Sequence, residues 1–152
     1  MAEAVPKLDA VLVALAEAVQ DAGWQAIVSY WPDFELADTA ELQVTVMPAA
    51  VVGGAEVSVA TTPEARGVRQ WTYPVVVAVQ QRVGHPPGDY IPAALATAEQ
   101  IAAACYLQRV DGGTAKVTET LIDPYYSARA VEELNQVLSL VRLSIEYHEV
   151  VT

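Results

Sequence analysis

The stretch WTYPVVVAVQQRV, Trp71 to Val83, decides the fold. Every residue from Val75 to Val79 is apolar, so a strand built from them needs cover on both faces, and its valines favour extended backbone. The run is bounded by the turn-forming series Gly84-His85-Pro86-Pro87-Gly88. A strand of that kind belongs in the middle of a sheet.

The flanking sequence supplies what would cover it. From Tyr90 onward Ile91, Ala94, Leu95, Ala98, Ile101, Ala102, Cys105 and Tyr106 trace one helical stripe, which predicts a helix lying on the sheet. Asp111-Gly112-Gly113 reads as a turn, and Thr114 to Ile122, with its alternating threonines, as a strand with one solvated face ended by Asp123-Pro124. Ser127 can cap a short helix through Leu134, and Val137 to Val151 forms a long closing strand.

Toward the N-terminus, Thr61 to Gly67 holds Pro63 and Gly67 without a clear period and reads as an exposed connection or arm. Leu42, Val44 and Val46 alternate with Gln43, Thr45 and Met47 before Pro48, and the pattern resumes after Gly53-Gly54 at Val57 and Val59, giving two strands joined by a loop. Asp33 to Glu41 is an acidic turn without calcium-loop spacing, and Trp24 to Trp31 a short strand ending at Pro32. Leu8, Val11, Leu12, Leu15 and Val19 recur at three and four, predicting an amphipathic helix over Leu8–Ala22 that Gly23 closes. The connections are mostly too short for repeated βαβ crossovers. The expected architecture is one α+β domain, residues 1–152: an antiparallel or mixed β-sheet with two main helices packed on one face.

Composition narrows the function classes. Of 152 residues 53% are apolar and 18% charged, which fits a folded domain and not a disordered chain. The formal net charge of −11 sets the protein against phosphate backbones and anionic membranes, so neither nucleic acid nor a membrane is an expected partner. No apolar run approaches the ~20 residues needed to cross a bilayer. Met1 to Lys7 lacks the basic-then-apolar order of a secretory signal, so the chain is expected to stay where it is made.

Residues that carry chemistry are sparse. A nucleophile elbow, a Walker loop, a dinucleotide fingerprint and an H-E-x-x-H helix are all missing from the sequence. His85 lies in a Pro/Gly turn and His148 in the closing strand, without metal-ligand spacing. Cys105 sits on the apolar stripe and reads as a small core hydrophobe. Glu119 and Asp123 read as solvated carboxylates rather than an acid–base pair. Trp71, Tyr73, Tyr125 and Tyr126 resemble a base-stacking platform only in type, and the acidity favours core packing or a protein interface for them. Neither catalytic residues nor a cofactor is expected.

The second half of the chain resembles the tail-completion proteins, or tail terminators, of long-tailed bacteriophages and related neck proteins. The resemblance is carried by the strand Tyr73-Pro74-Val75-Val76-Val77-Ala78-Val79, the helix after it, Val117-Thr118-Glu119-Thr120, Asp123-Pro124-Tyr125-Tyr126 and Leu138-Ser139-Leu140-Val141-Arg142-Leu143. It implies a virion protein, made in the host cytoplasm, that forms a ring, usually a hexamer, on the finished tail tube and offers its other face to the head-closure or connector protein. DNA would pass through such a ring, and an acidic lining would let it slide. The expected interface residues are Arg66, Arg69 and Gln70 in a protruding arm from Thr61 to Gln70, with Asp111 in the turn. Two alternatives stay open: a head-closure or head–tail connector protein, and a small bacterial ligand-binding α+β domain, whose mark would be a deep pocket lined by Glu119, His148 or Cys105.

Overall fold

The computed structural model describes residues 6–30, 41–49, 59–64, 68–110 and 113–150. In chain order the elements are α1 (Lys7–Asp21), β1 (Ala26–Val28), β2 (Leu42–Pro48), β3 (Ala60–Glu64), β4 (Val68–Arg82), α2 (Ile91–Ala104), β5 (Gly113–Ile122), α3 (Ala128–Leu134) and β6 (Gln136–Val150). The strands form one mixed sheet in the order β1-β2-β4-β6-β5, with β3 paired to β4. Among the described residues β1 and β2 run parallel and the other neighbours are antiparallel. This is the α+β class expected from the sequence.

The Trp71–Val83 stretch lies at the centre of the sheet, within β4. Its partner β6 stays in register from Val68↔Val150 to Arg82↔Gln136, a paired ribbon about 50 Å long. On the other side β4 is shared: β3 takes Val68 to Thr72, and β2 takes Val75 to Gln81. Pro74 falls between those two partners, where its missing N–H removes no ladder bond.

The pleat divides the apolar run between two faces. Tyr73, Val75, Val77 and Val79 of β4, with Val141, Leu143, Ile145 and Tyr147 of β6, pack against Val11, Leu12, Leu15 and Val19 of α1 and Ala98, Ile101 and Cys105 of α2. The opposite face is buried at its centre around Met47, Val76, Ala78 and Leu140. A third cluster, Val83, Ala94, Val131 and Val137, joins α3 and α2 to the far ends of β4 and β6. Gln81 ties sheet to helix, its Nε2 donating to the Ala94 carbonyl at 2.6 Å.

Local signals explain the element ends. Gly23 takes φ +109°, and its N–H donates to the Gln20 carbonyl, closing α1. Ser127 Oγ accepts from the Ala130 N–H at 3.4 Å, and Asn135 in the left-handed region (φ 53°) turns α3 into β6.

Four expectations are corrected. The first part of Thr61 to Gly67 is paired, not free: Thr61 to Glu64 belong to β3, because Thr61 and Thr62 suit a strand and an edge strand tolerates Pro63, while residues 65–67 lie outside the described residues. The strand expected to resume at Val57 and Val59 begins at Ala60; Val57 lies outside the described residues. The α2 stripe stops short of Tyr106, which is 72% exposed, because the helix ends at Ala104 and Cys105 turns away at ψ 23°. The strand expected over Trp24–Trp31 forms at Ala26–Val28, and residues 31–40, with most of the acidic turn, lie outside the described residues.

Candidate interaction surfaces

The β3–β4 end of the sheet gathers Trp71 and Tyr73 of the central strand, Lys7 of α1 and Arg69, which the sequence placed in an arm. Trp71 and Tyr73, two apart on β4, share a face, and their rings stack with centroids 6.1 Å apart and 2° between planes. Lys7, at the start of α1, holds its ammonium 5.3 Å from the Trp71 ring centroid and 2.8 Å from the Glu149 carboxylate. The Arg69 guanidinium lies 6.0 Å from the same ring. Each cation–ring contact is worth about 0.5–1 kcal/mol at a partly exposed site. The Lys7 contacts tie this end of β4 and β6 to α1, and Arg69 stays exposed.

The pleat separates the expected contact residues. Arg69 pairs with Glu149 in the register and Gln70 with His148, so the adjacent residues Arg69 and Gln70 point to opposite faces and cannot form one patch. Arg66 and Asp111 lie outside the described residues.

The reactive side chains stand apart from one another. His85 is exposed in its turn; His148 is half-buried, with Nε2 3.8 Å from the Glu146 carboxylate. Cys105 Sγ donates to the Ile101 carbonyl at 3.2 Å, and burial pushes its thiol from 9.0 up to about 12. Tyr73 is likewise pushed up to about 12, first by burial and then by neighbouring Tyr147. Among the described residues no three His, Cys, Asp or Glu side chains come together as metal ligands would.

Glu119 and Asp123 are both exposed, with Glu119 opposite Ser144 on β5 and Asp123 beyond the end of that strand. Glu119 lines a shallow groove of about 360 Å³ with Pro74, Leu121 and Arg142, and neither His148 nor Cys105 reaches it. Arg142 is already engaged, its Nε donating to the Asp123 carbonyl at 2.7 Å.

The four aromatics do not form one platform. Trp71 and Tyr73 lie at the hairpin end opposite Tyr147 and Ile145, whereas Tyr125 and Tyr126 follow β5 near Leu140, edge-on to each other at 6.4 Å. The Tyr125 hydroxyl bonds to the Glu99 carboxylate of α2; partial desolvation and then that bond raise its pKa.

Sequence reasoning missed the two ends of the sheet. Ile27 on β1 is 53% exposed and Leu121 on β5 is 51% exposed. The register chain Ile27↔Thr45↔Ala78↔Leu140, with Leu121 opposite Arg142, places both on the sheet face away from α1 and α2. A register slip between Val117 and Glu119 reverses the alternation of β5. Through it Leu121 faces outward although Val117, of the same parity, packs on the core.

No helix among the described residues is long and apolar enough to cross a membrane. No model of a known protein family matches the chain, and no curated protein sequence matches it.

Proposed function

We propose that this protein is a structural subunit of a bacteriophage tail. It closes as a ring, a hexamer, on the end of the tail tube and offers its other face to the head-closure or connector protein. The observation that carries this reading is the β3–β4 hairpin. β3 lies beside the end of β4 on the side away from β6, its main contacts are with β4, and Lys7 of α1 and Arg69 both stand over the Trp71 ring there. A short hairpin on a rigid ribbon is a fitting element for reaching a neighbouring subunit or the rim of a tube. The net charge of −11 supports passage of DNA through the ring without adhesion.

The reading is tested by co-expressing the protein with the tail tube protein of the same genome and sedimenting the tubes. The expected result is one ring per tube end in electron micrographs and retention of the protein in the tube pellet. Tubes with bare ends and the protein left in the supernatant would refute it. Retention on the head connector and not on tubes would assign the protein to head closure instead.

A further inference from the structure

We propose that the ring closes by continuation of the sheet, with β5 of one subunit laid antiparallel against β1 of the next. This inference rests on the ring reading above and names the surfaces that would make it. Strand direction is the first argument. β1 and β2 run one way, β4 the other, β6 back again, and β5 opposite to β6. The two terminal strands of the sheet therefore run in opposite directions. A second copy placed head to tail in the same orientation meets β1 with β5 as an antiparallel pair, the pairing that needs no crossover and is the more stable per residue.

The second argument is chemical complementarity. Ile27 and Leu121 are half-exposed apolar side chains at opposite ends of the sheet, and both lie on the face away from α1 and α2. Continuing the sheet keeps that face common to both copies, so Leu121 of one copy lies beside Ile27 of the next. β1 is flanked by a shallow groove lined by Gln20, Gly23, Trp24 and Ile27 itself. Isologous pairing of β1 with β1 or of β5 with β5 would leave one apolar end exposed in every dimer, whereas the head-to-tail arrangement covers both in every subunit. Strand twist between successive copies then decides whether the chain of subunits closes.

Paired cysteines test this, because the native Cys105 is buried and does not compete. Ile27→Cys and Leu121→Cys are made separately and together in the full chain. Under mild oxidation, the mixture of the two single variants is expected to give a covalent dimer that neither gives alone. The double variant is expected to give a ladder ending at the ring size. In parallel, Leu121→Glu is expected to weaken association roughly tenfold or more, while its circular dichroism stays that of the parent. Rings in electron micrographs without the mixed cross-link would overturn the sheet-continuation inference and leave the ring reading standing. A ladder that never terminates would support the strand pairing and overturn the closed ring. Disulfide dimers from either single variant alone, or no association and no cross-link at any concentration, would overturn the head-to-tail pairing.

Discussion

Raising the pH should destabilise this protein through its one cysteine, and the size of the effect follows from the position of the thiol. Cys105 is 1% exposed, under the sheet at the end of α2, and burial pushes it from 9.0 to about 12. In the unfolded chain the thiol ionises near its ordinary value; in the folded protein it stays neutral over the whole interval. The folded pKa is the raised one, so the thiol's contribution is complete below 9.0 and is lost progressively as pH rises toward about 12. At ~1.4 kcal/mol per pH unit, the loss reaches about 2 kcal/mol by about pH 10.5. Urea unfolding of the parent and of Cys105→Ala, near pH 8 and near pH 10.5, isolates it, because the alanine variant lacks this slope. Tyr73, also pushed up to about 12 by burial, acts in the same direction but in both proteins. Equal pH dependence of the two proteins would refute the reasoning, as would alkylation of native Cys105 at neutral pH as fast as a free thiol.

Leu15→Ala, at a position 0% exposed on the sheet side of α1, should cost about 3 kcal/mol in a urea melt, whereas Val13→Ala, 39% exposed, should cost under about 0.5 kcal/mol. At Asn135, held at φ 53°, Asn135→Gly should be tolerated within about 0.5 kcal/mol and Asn135→Val should lose about 1–2 kcal/mol, read by thermal unfolding. Lys7→Ala removes both the Glu149 ion pair and the contact with Trp71, and should cost about 1 kcal/mol at low ionic strength and less in concentrated salt. Removing the hairpin tip, Thr62 to Val68, should leave a cooperative unfolding transition and the far-ultraviolet spectrum largely intact while abolishing assembly on tails; normal assembly, or failure to fold, would contradict the role of the hairpin.

Where burial alone dictated the pattern, the sequence was a good guide. Val75 to Val79 could only be a strand covered on both sides, and Gly23 marked the end of α1 because the chain there needs a positive φ. Tyr106 was misplaced because periodicity cannot reveal that Cys105 leaves the helical conformation. Pro63 read as a breaker because a single sequence does not say which strand is an edge, and at an edge proline costs little. The contact surfaces were harder to see. Arg69 and Gln70 are neighbours in sequence but lie on opposite faces of the pleat. Ile27 and Leu121, 94 positions apart in the numbering, come to share a face only through four strand pairings and one register slip. Neither the order of strands nor that slip is written in local composition.

The central claim, that this protein works by assembling with copies of itself, is tested most directly by its mass in solution, measured by light scattering across a wide concentration range. The account predicts a species of ring size, a closed multiple of the 16.2 kDa subunit, that grows with concentration and then stops growing. A mass that stays at one subunit throughout would contradict it.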